Sequence, residues 1–305
     1  MHIAILGARG WHTDELSRAL AARGHRTDVL PYEGLVARAG GSGQAELSIK
    51  SAAMFDVDAV LARIIPAGSL DQIIYRVDAL HWIEERGIPV INSPRAIERS
   101  VDKFYTTALL QEAGLPTPET VVCENVADAM AAAVTMGDVV VKPLFGSMGH
   151  GMMRVSDPDM GYRVFKTLEQ LRAVFYLQRV VEHDGCDVRA FVVGGRTIAA
   201  IERRAPGDDW RTNVARGGSA RPIELPREWE ELALSAARTL GADYAGVDLL
   251  PSRDGRVFVL EVNGIPGWRA LQQATGLDIA DALVAYVERR VATGRAEAHA
   301  ERFGS

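Results

Sequence analysis

The 305-residue chain has only two cysteines, no long hydrophobic run and no excess of positive charge. Each shortage excludes something. Cys123 and Cys186 lie far apart without zinc-type spacing, so two reduced structural thiols are expected rather than a redox pair or a zinc site. No stretch approaches the roughly 18 apolar residues of a membrane-spanning helix. The opening MHIAILGARGW has no basic region ahead of its short apolar run, so no secretory leader is read and a cytoplasmic location is expected. A formal net charge of -6 argues against general nucleic-acid binding, though it leaves room for a locally basic pocket. Internal repeats and low-complexity segments are also missing. What remains, 48% hydrophobic and 24% charged, suits a globular chain long enough for two or three packed units.

The first of these units reads as strand, helix, strand. HIAIL has the pattern of a buried strand, a helical segment runs from Thr13 to Arg23, and DAVLARI and IPVIN are further strands separated by a helical stretch from Ser69 to Arg86. That order predicts a parallel sheet covered by helices. Gly7 and Gly10 after the first strand form G-x-x-G rather than G-x-G-x-x-G, and a dinucleotide site is set aside. Ser93-Pro94 marks a boundary, and a further helix is expected from Ser100 to the stop at Gly114. Beyond it TVVC, DVVVKP and MMRV read as short β-branched strands, ELALSAARTLG and DIADALVAYVERRV as amphipathic helices, and the residues from 292 as a frayed tail.

Near the C-terminus, AGVDLLPSRDGRVFVLEVN reads as a hairpin with Asp254-Gly255 at its tip. In that register Arg253 faces Arg256, Pro251 faces Phe258 and Asp248 faces Glu261, while Asn263 shares the face of Glu261. Directly opposed carboxylates repel unless something positive sits between them. An Asp, Glu and Asn oxygen set suits magnesium; a solvated sheet face is the alternative. In VVVKPLFGSMGHGMMRV, Lys142 ends a strand, and Gly146, Gly149 and Gly151 lie in a loop before the next. This is not a Walker A loop, because the lysine is elsewhere and no helix follows, but a glycine-rich flap between strands can lay N–H groups over phosphates beside a lysine. An ordinary flexible hairpin is the alternative there, and His150 reads as a solvated loop residue. Asp187 and Arg189 alternate onto one face of the strand CDVRAFVV, and Arg203, Arg204, Arg211 and Arg216 with Asn213 supply planar donors for carboxylate or phosphate.

Taken in order, Lys103, Lys142, the Gly146 to Gly151 loop, DVR at 187 to 189, RTN at 211 to 213, VD at 247 to 248 and EVN at 261 to 263 resemble the ATP-grasp superfamily, and within it the RimK-type glutamate ligases. The resemblance spans residues 1 to 290. It implies a mixed α/β and α+β fold: an N-terminal parallel α/β domain (1–92), a small central α+β domain with the flap (93–175), and a C-terminal antiparallel-sheet domain (176–291) ahead of the tail (292–305). ATP would lie between the last two. The implied cofactors are ATP and Mg2+, as two ions, with Mn2+ the alternative metal. Lys103, Lys142, Gly146, Ser147, Gly149, Gly151 and Arg189 would surround the phosphates, Gln178, Arg179 and Val180 the adenine, and Asp187 the ribose. Arg203, Arg211 and Asn213 are the implied catalytic residues, with Arg211 also near the phosphates, and Asp248, Glu261 and Asn263 the metal ligands.

The implied activity is an ADP-forming ligation of glutamate to a carboxylate through an acyl phosphate, with no enzyme nucleophile. The absence of a G-x-S-x-G elbow agrees with this. GIPGWRALQQATG, with its bulky Trp268-Arg269, is similar to the branch that glutamylates pterin cofactors such as tetrahydromethanopterin. A small-molecule acceptor and glutamate are therefore the expected partners, with Trp268 stacking on or walling off the acceptor. Modification of a protein C-terminus and a non-catalytic ATP-binding regulator are the alternatives. Related ligases form dimers or tetramers, and no nucleic-acid or membrane partner is expected.

Overall fold

The computed structural model describes residues 1–146, 151–205 and 218–303, with side chains as far as 294. Its N-terminal part runs β1 (His2–Leu6), α1 (Trp11–Ala22), β2 (Arg26–Leu30), β3 (Leu35–Arg38), β4 (Glu46–Ile49), β5 (Ala52–Ala53), β6 (Ala59–Ala62), α2 (Leu70–Glu85) and β7 (Val90–Ile91). The expected parallel sheet is present, in the order β2-β1-β6-β7. Residues 3 to 6 of β1 and all of β6 are buried, as a sheet covered on both faces requires. The chain leaves β1 to one side through β2 and returns on the other through β6. The carboxyl ends of β1 and β6 are therefore a topological switch point, where open α/β sheets present a crevice. The small antiparallel sheet β3-β4-β5 was not anticipated: its strands are short, and β4 is reached by a reversal through Gly40 and Gly41 at φ 85° and 71°.

The middle of the chain runs α3 (Pro94–Val101), α4 (Lys103–Glu112), β8 (Thr120–Cys123), α5 (Val126–Met136), β9 (Val139–Lys142), β10 (Met153–Val155), α6 (Pro158–Gln170) and β11 (Phe175–Arg179). The helix expected from Ser100 starts instead after Asp102, whose carboxylate accepts the Tyr105 N–H at 3.0 Å, so Lys103 opens α4. Antiparallel strands in the order β10-β9-β11-β8 pack Val139, Val141, Phe175 and Leu177 against α5 and α6. Neither helix was anticipated, although both carry caps: Asn125 accepts from Asp128 N–H, and Asp157 precedes Pro158 at the first turn.

The C-terminal part runs β12 (Cys186–Val193), β13 (Arg196–Arg204), β14 (Ser219–Pro222), α7 (Arg227–Leu240), β15 (Tyr244–Pro251), β16 (Val257–Asn263), α8 (Arg269–Thr275) and α9 (Ile279–Phe303). Its antiparallel sheet has the order β14-β13-β12-β15-β16. The residues after 292, expected to be a frayed tail, continue α9 to Phe303. Among the described residues, no helix is long and apolar enough to cross a membrane.

One face of this sheet packs Val188, Ala190 and Val247 against Ala233, Ala237 and Leu240 of α7. On the other side, Phe191, Tyr244, Leu283 and Val287 share a core with Ile3, Ile5, Leu16 and Leu20. The first and last parts of the chain therefore bury apolar surface against each other, a non-directional attraction. Asn92 adds direction. Fully buried, it donates to the carbonyls of Tyr244 (2.8 Å) and Gly264, and accepts the Tyr244 N–H at 3.0 Å. Asn92→Ala leaves those buried backbone groups without partners and is expected to destabilise the protein by about 3 kcal/mol, read as a lower urea midpoint.

Candidate active site

Cross-strand register assembles the site. Asp248 lies opposite Glu261, as the sequence predicted, although the turn differs: Ser252 N–H bonds the Arg256 carbonyl at 2.8 Å, and the loop spans Arg253 to Gly255. Gly255 takes φ 86° there. The longer loop shifts the pairing so that Pro251 faces Val257, and Leu250 faces Phe258. A bulge between Val259 and Glu261 then absorbs Leu260 and brings Glu261 back opposite Asp248.

Asp248 does not wait unpartnered for a metal. Arg189, its neighbour on β12, donates from Nε to Oδ1 (2.7 Å) and from Nη2 to Oδ2 (2.6 Å). Arg203 Nη2 reaches the same Oδ2 at 2.9 Å. Arg203 also clamps Asp187 with Nε and Nη2 at 2.7 and 2.6 Å. The expected ribose ligand thus has its carboxylate oxygens engaged by a guanidinium. Asp187, Arg203 and Asp248 are all buried, and their charges support one another. Burial opposes the Arg203 charge, yet the two carboxylates hold its pKa above the usual value. Burial likewise raises the pKa of Asp248, but Arg189 and Arg203 outweigh it and hold it below the usual carboxylate range.

Glu261 is different. Burial and the Asp248 carboxylate push its pKa up, against the pull of Arg189, Lys103 and Lys142. With its amide turned to meet complementary partners, Asn263 donates to Glu261 Oε1 at 3.1 Å and accepts from Arg189 Nη2 at 3.2 Å. The carboxylate and carboxamide expected on one face are therefore in contact.

Two lysines face this end of β16 from the other side of the cleft. Lys142 ends β9 and donates to Gln178 Oε1 at 2.5 Å; burial lowers its pKa to about 8, with Glu261 opposing the fall. Lys103 donates to the carbonyls of Leu144 (3.3 Å) and Gly146 (2.8 Å), and burial lowers its pKa too. Among the described residues, neither lysine has a carboxylate within ion-pair distance. Gly146 lines the cleft, whereas Gly151 lies against Pro143, outside the lining. Ser147, Gly149 and His150 of the flap lie outside the described residues, as do Arg211, Asn213 and Arg216.

The cleft has a volume of about 1760 Å³. Gln178, Arg179 and Val180 line one end, though the Gln178 side chain turns inward to Tyr176 and Thr120, and Arg179 pairs with Glu119 at 2.7 Å. The other end opens at the switch point of the parallel sheet, with Ile64 and Ile65 just beyond β6.

Trp268 does not line the cleft. It is fully buried against His12, Trp11 and Phe191, with the Arg63 guanidinium 4.7 Å from its ring centre. The stacking role expected for it is corrected to a core role. The Trp268 backbone N–H donates to His12 Nε2 at 3.1 Å, and burial, then Arg63 and Arg269, lowers the His12 pKa to about 4. Sequence reasoning missed Arg63, which is buried and donates to Tyr244 Oη at 2.9 Å and to the Pro266 carbonyl at 3.3 Å. The signal was an arginine directly after a buried parallel strand, at the sheet end where crevices form.

The donor chemistry fits a metal–polyphosphate ligand. Among the described residues two ammonium groups lack anionic partners, and Glu261 and Asn263 offer hard oxygens beside them. Asp248 can contribute an oxygen only alongside its arginines. No group of three or more His, Cys, Asp or Glu side chains forms a metal cage among the described residues, which suits an ion that takes part of its coordination from phosphate oxygens.

Comparison with known proteins identifies the fold and the family. Among solved structures, the ATP-grasp ligase PsnB in complex with a precursor variant, Mg and ADP superposes with a TM-score of 0.74 over 93% of this chain and 98% of that one, at 23% identity. A RimK domain ATP-grasp protein from Sphaerobacter thermophilus gives 0.72 over 94% and 99%, at 22% identity. The fold is thus that of the ATP-grasp ligases. Residues 1–97 match the RimK PreATP-grasp domain and residues 100–287 the RimK-like ATP-grasp domain, and the chain belongs to this RimK-like family of α-L-glutamate ligases. Relatives include a tetrahydromethanopterin:α-L-glutamate ligase of Methanosarcina acetivorans, 36% identical over 76% of this chain and 80% of the relative. The ribosomal protein bS6–L-glutamate ligase of Escherichia coli is 32% identical over 96% and 97%.

Removing Arg203 takes the bidentate guanidinium from buried Asp187 and leaves Asp248 with Arg189 alone. Arg203→Met is expected to destabilise the protein by about 3–5 kcal/mol at pH 7. The stability that Asp248 draws from its depressed pKa is present above the unfolded value near 4 and lost as pH falls through the folded value. The gap between wild type and variant should therefore shrink below about pH 4, as read by urea titrations across pH.

Proposed function

We propose that this protein joins L-glutamate to the carboxylate of a small molecule or cofactor, with ATP cleaved to ADP and phosphate. The observation that carries the reading is the meeting, in one cleft, of two lysines that have no anionic partner among the described residues and the Glu261–Asn263 oxygen pair. In the balanced reaction an acceptor carboxylate oxygen takes the terminal phosphoryl group and ADP leaves. The glutamate amine then attacks the acyl carbon, phosphate leaves and the amine loses a proton. The second reading is ligation to a protein C-terminus; the name of the Escherichia coli relative supports it.

Each residue has a task in this scheme. Lys103 and Lys142 neutralise phosphate charge, and Gly146 with the rest of the flap covers it. Glu261 and Asn263, with Asp248, hold magnesium, which when bound neutralises the transferring phosphoryl group. Gln178, Arg179 and Val180 border the base, Arg189 holds Asp248 and Asn263 in place, and Arg203 sets the positions of Asp187 and Asp248. Asp187 stands beside the ribose. Arg211 and Asn213 belong to the segment assigned to the acyl group. The units are taken as 1–92, 93–175 and 176–291, with the nucleotide between the last two.

ADP release with ATP and magnesium should require glutamate and one acceptor together, screened over a panel of reduced pterins, other carboxylic acids and acidic peptides, with the amide product seen by mass spectrometry. Glu261→Gln should abolish turnover while retaining nucleotide binding. Retained ligation in that variant would sink the metal role; ATP binding without ADP release for any acceptor would favour a non-catalytic regulator.

Phosphate binding needs Lys142 charged, and its pKa in the free protein is about 8. Nucleotide affinity should therefore fall above about pH 8, by up to about tenfold per unit, with Lys142→Met showing weaker binding and a shallower profile. A wild-type profile that stays flat from pH 7 to 10 would exclude this role.

A further inference from the structure

We propose that the acceptor acid has an uncharged, apolar body, and that this body lies on a second apolar stripe of α2. The inference rests on the ligase reading and narrows its substrate class. α2 has two apolar stripes. Ala79, Leu80 and Ile83 are buried in the core of the N-terminal sheet. Leu70, Ile73, Ile74 and Val77 follow the i, i+3, i+4, i+7 spacing of one helix face. Leu70, Ile73 and Ile74 are 71%, 39% and 48% exposed, and Ile64 beside them is 67% exposed. An exposed contiguous apolar surface of this kind marks a binding site more often than chance.

These residues line the same cleft as Lys142 and Glu261. They stand at the carboxyl ends of β1 and β6, where the topology of the parallel sheet opens a crevice. Size points the same way: about 1760 Å³ exceeds the roughly 300–1,000 Å³ of an ordinary ligand pocket, leaving space beyond a nucleotide.

Charge selects the occupant. The lysines and Arg189 and Arg203 lie toward β9 and β16. Between residues 64 and 101 the lining contains no lysine or arginine, and its charged members are Asp78 and Glu98. A polyacidic tail laid along α2 would meet like charge and bury aliphatic side chains against carboxylates. An acid with its carboxylate at the Glu261 end and a ring or aliphatic body along α2 satisfies both ends.

The test uses acids with one head and growing bodies: N-acetylglycine, N-benzoylglycine and N-naphthoylglycine, with tetraglutamate as the acidic comparison. Each is titrated calorimetrically into the full chain with ADP and magnesium present. Binding is expected to tighten about tenfold from the acetyl to the naphthoyl acid, with tetraglutamate weakest. The double variant Leu70→Asn, Ile74→Asn, changed only at exposed positions, should lose this gain while nucleotide affinity stays as in wild type.

A flat series, tighter binding of tetraglutamate, or an undiminished gain in the variant would overturn the inference. So would sedimentation showing that wild type is a dimer which the variant dissociates, since the stripe would then be an interface between copies. Normal nucleotide binding with a flat series would sink this inference alone; a wild-type chain that binds no nucleotide would sink the ligase reading with it.

Discussion

The structure turns on Arg203 and the row of charges it starts across the C-terminal sheet. Arg203 pairs with Asp187 on β12; two residues further along the same face of β12, Arg189 pairs with Asp248 on β15, and Asp248 faces Glu261 on β16. Two like charges about 4 Å apart repel by about 4 kcal/mol at an effective dielectric near 20. Opposing two carboxylates at the sheet edge is therefore tolerable only because Asp248 is already neutralised from its other side. Each basic group satisfies the acid beside it until Glu261, which among the described residues forms no ion pair with an arginine. The carboxylate left without a guanidinium clamp thus faces two lysines that, among the described residues, have no acidic partner within ion-pair distance. Buried ion pairs of this kind add little net stability. Their effect here is to fix where charge remains.

The lysines and the carboxylate row come from different sheets, and packing brings them together. Lys142 ends a strand of the central sheet, Lys103 opens α4, and Glu261 belongs to the C-terminal sheet. Burial of both lysines lowers the pKa of each, so the cleft is built around cations that the protein itself does not fully satisfy. A polyanion restores what burial removes. The N-terminal sheet adds the third wall through its shared core with Phe191 and Tyr244, and Asn92 and Arg63 fix the junction by hydrogen bonds to Tyr244.

Much of this was legible because it follows local periodicity. The alternation in VFVLEVN put Glu261 and Asn263 on one face, and the hairpin signal put Asp248 opposite Glu261. The turn was misjudged by one residue, and the correct pairing at Glu261 survived because the bulge at Leu260 absorbs the error. Two helices escaped notice: α5 is nearly all apolar and small and shows no clean amphipathic stripe, whereas α6 is amphipathic but starts in a polar stretch that reads as loop. Trp268 was misplaced for the opposite reason. A bulky aromatic beside a metal-ligand motif reads as a substrate platform, but a sequence cannot say which side of the strand end is covered, and His12 and Arg63 cover this one.

The sequence by itself determined the ordered set of chemical groups, the parallel-then-antiparallel layout and the facing of Asp248 and Glu261, because alternation and turn chemistry act over a few residues. Only the tertiary structure decided which carboxylates keep their charge to themselves. That Arg203 would bind two aspartates, that Lys103 and Lys142 would face Glu261, and that one stripe of α2 would be buried while the other lines the cleft all depend on contacts between residues distant in the chain. Such contacts are set by which apolar surfaces find each other, and burial, being non-directional, leaves no local mark in the sequence.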